Sequence, residues 1–400
     1  MRKFDEVLGI KAVKTDVYYG NYPEFLNEEN IKSVGKFHFT IDGYAETPLR
    51  SLDALAEELG VKKIFVKDES YRFGLNSFKV LGGTYAVAKV LSEKLKVDID
   101  DVDFSFFKEK EVFEKIKDMV FITATDGNHG KGLAWSASQI SCRSVVYMPK
   151  GSSRHRVDAI KEVGGEVLVT DLNYDDTVRL ASKVANENGW YLVQDTAWVG
   201  YEKIPNWITQ GYTTMAYESL KQINLLGVEK PTHIMLQAGV GSMAGSVLGY
   251  YVNQFKENCP KVIIMEPSKA DCIYKSAFTN DGNPRGVDGD LSTIMAGLAC
   301  GVPNPLTWSI LRDHASHYIS CDDYLSELGM KILASPMRGD KKIVSGESGS
   351  IGVGLLFTIM KKSLLKDLRE DLKLTSESVV LIYSTEGDTD PESYRRVVNV

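Results

Sequence analysis

Between residues 119 and 193, apolar runs and amphipathic stretches alternate at a spacing that leaves few folds open. Segments 119–124, 144–149, 166–169 and 191–193 read as buried strands, and 129–139, 154–163 and 174–188 read as helices. Strands joined this way through helices form βαβ units and a parallel sheet. A second alternation begins at Thr232 and runs to the C-terminus, with a long helix over 208–225 between the two. The expected class is therefore α/β, with two doubly wound sheets facing each other and a ligand cleft at their strand C-termini. The expected large domain takes residues 1–84 and 204–400, and the small domain 85–203.

Composition narrows the function. With 43% hydrophobic and 25% charged residues and no low-complexity tract, the chain reads as an ordinary globular protein. A net charge of −7 without a basic stripe speaks against nucleic acid as a partner. No apolar run is long enough to span a bilayer, and residues 1–6 lack the apolar core of a signal peptide, so the cytoplasm is the expected location. Cys142, Cys259, Cys272, Cys300 and Cys321 contain no CxxC pair, so no zinc ribbon and no metal site is expected. Cys272 and Cys300 lie near expected loops. Two reduced thiols are the simpler reading, and pairing under oxidation stays open.

Residues 1–45 read as a wrapping arm with short helices. Thr47-Pro48-Leu49 opens a helix running to a stop at Gly60, with Leu52, Leu55, Ala56 and Leu59 on one face. A strand over 64–67 follows, then a helix from about Lys79 to Leu95. The acidic, aromatic segment 97–117 reads as a helical hairpin.

Lys79 stands in Asn76-Ser77-Phe78-Lys79-Val80-Leu81-Gly82-Gly83, where a strand and loop deliver it to a helix start. The small residues Ser77, Gly82 and Gly83 leave room for a planar group. Burial would lower the lysine pKa and free its amine as a nucleophile. Alone, the stretch fits a solvated lysine in a first helical turn better. Asp126-Gly127-Asn128-His129-Gly130 lies between a strand and a helix. Its helix start favours an anion, Asn128 offers an amide to a phenolate-like oxygen, and Asp126 equally fits an N-cap. His129 fits a core hydrogen bond more readily than catalysis. Gly239, Val240, Gly241, Ser242 and Gly245 form a glycine loop suited to phosphate. The loop also matches a dinucleotide pattern, with Glu266 ending the next strand where a ribose-binding acid would stand. On its own it favours a nicotinamide-dependent dehydrogenase. Asp195, followed by Trp198, fits a site for a substrate ammonium or a solvated loop acid. Ser384-Thr385-Glu386 closes the last strand, and Ser345-Gly346-Glu347-Ser348-Gly349 precedes a helix.

Taken together and in this order, Thr47-Pro48-Leu49, Val66-Lys67-Asp68-Glu69, Ser77-Phe78-Lys79, Gly127-Asn128-His129, the loop 239–245 and Ser384 resemble the fold type II, tryptophan-synthase-type pyridoxal-phosphate enzymes. The resemblance covers the chain from Thr47 onward. It decides against the dehydrogenase, which leaves Lys79 and Asn128 unexplained. Within the family, Asp126, Asp195-Thr196-Ala197-Trp198 and residues 384–390 are similar to the ammonia-lyases that act on 2,3-diaminopropionate. Serine and threonine dehydratases usually have a small residue at the position of Asp126.

The resemblance implies pyridoxal 5′-phosphate carried by Lys79, with its phosphate on Gly239, Val240, Gly241, Ser242 and Gly245. Its phenolic oxygen would meet Asn128, and its ring nitrogen Ser384, with Thr385 the near alternative. Thr125, Gly127, Asn128 and His129 would take the substrate carboxylate. Lys79 would serve as base for the L-isomer and Asp126 for the D-isomer. Asp195 would hold the β-ammonium or relay a proton to the leaving amine. The products would be pyruvate and two molecules of ammonia. An L-serine or L-threonine dehydratase of the same fold is the alternative enzyme, although Asp126 and Asp195 match a neutral hydroxyl substrate poorly. The resemblance also implies a homodimer.

Overall fold

The structure is a computed structural model that describes residues 1–398. It divides into two compact units. Among the described residues, the first comprises 1–24, 47–71 and 215–398, and the second 25–46 and 72–214. Sequence spacing put the domain boundaries near 84 and 203. The helix Lys203–Leu225 carries the chain from the second unit into the first.

The first unit is built on an eight-stranded sheet. Its strands are β1 (Arg2–Lys3), β2 (Ile10–Lys14), β3 (Leu49–Ser51) and β4 (Lys63–Asp68), then β9 (His233–Gln237), β10 (Lys261–Pro267), β11 (His317–Cys321) and β12 (Val379–Ser384). The order is β1-β2-β11-β10-β9-β12-β4-β3. The five inner strands, β11 to β4, run parallel, and β2 and β3 add antiparallel strands at either side. Every residue of β9 and β12 is buried, as a strand covered on both faces requires. Leu55, Val66, Met235, Ile263, Ile351, Val380 and Ile382 belong to one apolar core.

The second unit holds a four-stranded parallel sheet of β5 (Val120–Ala124), β6 (Arg143–Met148), β7 (Glu166–Val169) and β8 (Tyr191–Leu192), ordered β7-β6-β5-β8. The α/β class and the alternating strands and helices are as the sequence spacing implied. Helix Tyr174–Asn188 shows how locally this is encoded. The Asn173 side chain accepts from Asp176 N at its start, Thr177, Ala181 and Ala185 face inward one turn apart, and Gly189 ends it at φ 67°.

Four stretches differ from expectation. Residues 49–51 form β3, paired to β4, and the helix begins only at Asp53. Pro48 biases the residue before it away from helix. The helix Asp53–Leu59 is capped from far away: Asp340 accepts the N–H groups of Ala54 and Leu55, both at 2.9 Å. The N-terminal segment is a sheet edge, because β2 pairs along β11. Segment 97–117 forms two short 3-10 turns and the helix Lys110–Ile116, with Asp98 accepting from Asp100 N. Helix Ser242–Phe255 begins inside the stretch 239–245 that reads as a loop in the sequence. Among the described residues no helix is long and apolar enough to cross a membrane.

Candidate active site

In the second unit, Lys79 is the residue that leads into helix Val80–Leu95. Gly82 and Gly83 below it serve helix packing, where space for a planar group was expected. A Cβ on Gly82 would lie 2.5 Å from the Tyr212 ring, and one on Gly83 would lie 3.4 Å from Leu133 N. Two partner glycines are equally close. A Cβ on Gly132 would approach Val80 Cα to 2.8 Å, and one on Gly211 would approach Leu81 O to 2.6 Å. The lysine is thus seated by backbone meeting backbone at Gly132 and Gly211 and by the Tyr212 ring at Gly82.

Its Nζ forms an ion pair with Asp195, the third residue after β8, and both side chains are largely buried. Burial works against the lysine charge, but Asp195, followed by Tyr212 and Asp126, outweighs it and raises the pKa. The lowered lysine pKa expected from burial alone is therefore not what the structure gives. Burial likewise opposes the Asp195 charge, yet Lys79 and His129 hold its pKa down to about 2.

Asp195 is set by its neighbour. Gln194 Oε1 accepts from Thr123 Oγ1 and Ala124 N, both at 3.0 Å, which fixes the amide's orientation. Gln194 Nε2 then donates to Tyr174 Oη at 3.1 Å and to Asp195 Oδ1 at 3.5 Å. His129 Nε2 bonds Val193 O at 2.7 Å. Its buried Nδ1 has no hydrogen-bond partner and lies 3.9 Å from Asp195 Oδ2. Burial lowers the His129 pKa, so the neutral ring donates through Nε2 to the carbonyl.

Asp126 follows β5 by two residues. Thr125 Oγ1 accepts from Gly127 N at 3.0 Å, and Gly127, at φ 159°, takes the N-cap position that the sequence offered to Asp126. No side chain caps helix Asn128–Gln139, so its start is suited to an anion such as a carboxylate. Burial raises the Asp126 pKa against the opposing pull of Arg156 and Lys79. Sequence reading passed over Arg156: its Nη1 donates to Asp126 O at 3.4 Å. The structure thus brings Lys79, Thr125, Asp126, Gly127, Asn128, His129 and Asp195 into the second unit.

The first unit holds the other expected residues. Helix Ser242–Phe255 starts without a side-chain cap, and Gly241 precedes it at φ 95°. Ser242 Oγ accepts from Asn304 Nδ2 at 2.8 Å, a partner 62 residues away that no local motif announces. A Cβ on Gly239 would lie 3.1 Å from Cys300 Sγ, and one on Gly245 would lie 2.5 Å from Thr307 Cβ. Those two glycines are required by packing, whereas Gly241 is required by its backbone angle. Ser384 ends β12 and donates to Ser345 Oγ at 2.8 Å. Thr385 Oγ1 accepts from Gln237 Nε2 at 3.0 Å, another partner the sequence did not reveal.

Glu266 does not point to a ribose. Its carboxylate, 1% exposed, accepts from Ile273 N at 2.9 Å and Tyr274 N at 2.6 Å, starting helix Cys272–Thr279. That removes the acid on which the dehydrogenase reading rested. All five cysteines are free thiols.

A model of the family described as pyridoxal-phosphate dependent enzyme matches residues 40–384. The chain belongs to that family. It is 53% identical over 363 residues to a diaminopropionate ammonia-lyase of Salmonella typhimurium strain LT2, covering 90% of each chain. It is 49% identical, at a TM-score of 0.91, to the crystal structure of diaminopropionate ammonia-lyase from Escherichia coli in complex with an aminoacrylate-PLP azomethine reaction intermediate. That match covers 98% of this chain and 97% of the other. A biosynthetic L-threonine dehydratase of Salmonella typhimurium is 29% identical over 238 residues, 60% of this chain and 38% of that protein. Each unit by itself holds residue types that suit pyridoxal phosphate: the second a largely buried lysine at a helix start, and the first an uncapped helix N-terminus behind Gly241 and buried hydroxyls at Ser384 and Thr385.

Proposed function

We propose that the chain catalyses the α,β-elimination of 2,3-diaminopropionate, as D- or L-isomer, to pyruvate and two molecules of ammonia. The observation that carries this reading is the Lys79–Asp195 ion pair. A carboxylate that already holds one primary ammonium is matched to a substrate that brings another. A β-ammonium leaves as neutral ammonia when the Cβ–N bond breaks, so the group that keeps it protonated makes it a competent leaving group. A serine or threonine hydroxyl gains nothing from an anion there. The near full-length identity to diaminopropionate ammonia-lyases supports the same substrate, and the partial match to threonine dehydratase supports only the shared chemistry.

On this reading Lys79 carries pyridoxal phosphate, and Gly239, Val240, Gly241, Ser242 and Gly245 take its phosphate. Asn128 donates to its phenolic oxygen. Ser384 would meet its ring nitrogen by turning its hydroxyl away from Ser345, with Thr385 as the near alternative. The bound group supplies an electron sink for the charge that develops at Cα. Thr125 and Gly127 to His129 orient the substrate carboxylate at the uncapped start of helix Asn128–Gln139. Lys79 takes the Cα proton of the L-isomer and Asp126 that of the D-isomer. Asp195 pairs with the β-ammonium, and Gln194 keeps that carboxylate aimed. The enzyme acts as a cytoplasmic homodimer.

The deciding experiment is a visible spectrum of the purified protein before and after adding each isomer, with pyruvate and ammonia assayed. A yellow protein that changes colour and releases both products in a 1:2 ratio meets the proposal. A yellow protein that turns over serine or threonine and leaves diaminopropionate untouched refutes it.

A further inference from the structure

Arg156 is held over the loop that carries Asp126. It lies in the first turn of helix Arg154–Glu162, whose N-cap Ser153 accepts the Arg156 N–H at 3.4 Å. Its stem passes beside Gly127, where an added Cβ would lie 3.2 Å from Arg156 Cδ. Its Nη1 donates to Asp126 O at 3.4 Å. Backbone, stem and head therefore each hold the guanidinium against the loop that carries Asp126, its head on the Asp126 main-chain carbonyl.

Four charged or titratable groups act on Asp126: Arg156, Lys79, Asp195 and His129. Lys79 is already matched by Asp195, and the His129 ring is neutral. Among the described residues, that leaves Arg156 as the cation that balances Asp126. Its guanidinium stays charged throughout the working pH range, so its effect does not titrate away.

We propose that Arg156 is a specificity-determining positioning residue: by holding Asp126 as a working base, it sets how well the D-isomer is turned over relative to the L-isomer. The inference rests on the two-base reading given above. A base that must remove a proton has to be ionised, and Arg156 favours that form against the burial that opposes it. Removing Arg156 leaves burial unopposed from that side, and Asp126 then loses its charge at a higher pH.

The test compares the holoenzyme with Arg156→Gln, Arg156→Lys and Asp126→Asn, measuring kcat/KM for each isomer as a function of pH. Arg156→Gln is expected to lower kcat/KM for the D-isomer at least tenfold and to move the acid limb of its pH profile upward, with the L-isomer changed less than threefold. Arg156→Lys restores part of the D-isomer activity. Carbon-13 NMR of protein labelled at aspartate Cγ, assigned with Asp126→Asn, is expected to show the Asp126 titration moving to higher pH in Arg156→Gln. If Asp126→Asn is selective for the D-isomer and Arg156→Gln lowers both isomers equally, or leaves the acid limb and the titration in place, the role of Arg156 is overturned alone. If Asp126→Asn lowers both isomers equally, the two-base reading falls and this inference with it.

Discussion

The Lys79 ammonium and the Asp195 carboxylate form a buried ion pair within one compact unit of the protein. Each acts on the other's charge in the same direction, raising the lysine pKa and lowering that of the acid. The carboxylate therefore remains an anion over the whole working range. On the proposed reading, its next cation is the substrate's own β-ammonium.

Asp195→Asn tests that role with two leaving groups. Elimination of ammonia from 2,3-diaminopropionate is expected to fall by about 10²–10⁴-fold, the range for losing a positioned acid–base group. Elimination of chloride from β-chloroalanine, which needs no ammonium held, is expected to fall less than about tenfold. Equal losses with both substrates sink the assignment.

The first unit contains a second buried pair. Lys67 Nζ donates to Glu218 Oε2 at 2.6 Å, Thr47 O at 2.7 Å and Gln222 Oε1 at 2.9 Å, and neither charged side chain reaches solvent. Lys67→Met strands the glutamate and is expected to cost about 3–5 kcal/mol. Adding Glu218→Leu removes the orphaned charge and recovers most of that loss. Chemical denaturation of the two variants checks it; a double variant no more stable than the single one refutes it.

His317 gives the fold an acid-sensitive point. Burial, opposed by its bond to Asp371, lowers the His317 pKa to about 4. Between its ordinary value and that pKa, the unfolded chain binds a proton that the native protein does not, so stability falls as pH falls. The slope is about 1.4 kcal/mol per pH unit where the difference is a full proton. Thermal midpoints measured from pH 7 to pH 4 are expected to drop less steeply in His317→Asn. An unchanged slope excludes His317 as the cause.

Gly82→Ala sets a methyl group against Tyr212 and Ile208, at 2.5 and 2.7 Å. Overpacking of this kind costs about 1–3 kcal/mol. A shift of the helix that Lys79 leads into would follow, so the variant is expected to lose the visible absorbance of the bound cofactor before it loses helical circular dichroism. Full cofactor retention at unchanged stability speaks against the packing argument.

The parallel strands of both units were legible because β5, β9 and β12 are continuous buried runs with punctuating loops. Leu52, Leu55 and Leu59 drew the preceding residues into a helix that the pairing of Leu49 with Lys67 does not permit. Lys79, Asp126, Asn128, Asp195 and Ser384 stood out because each follows a strand or opens a helix, where backbone geometry advertises a site. Arg156, Gln194 and Asn304 did not. Arg156 is 30 residues from Asp126, and Asn304 is 62 from Ser242, so only the folded chain brings them to their partners. Gln194 sits beside Asp195 in sequence, but its amide is oriented by Thr123 and Ala124 on another strand.

The glycine seats beneath Lys79 divide the second unit into parts that tolerate change differently. Where Gly132 and Gly211 meet the backbone of Val80 and Leu81, no side chain can give way, so drift in sequence there is blocked whatever the substrate. The two acids are carried on loops that follow β5 and β8, outside those seats. Altered substrate ranges are therefore to be sought by exchanging residues 125–127 and 194–198 while the helices that carry the lysine are left as they are.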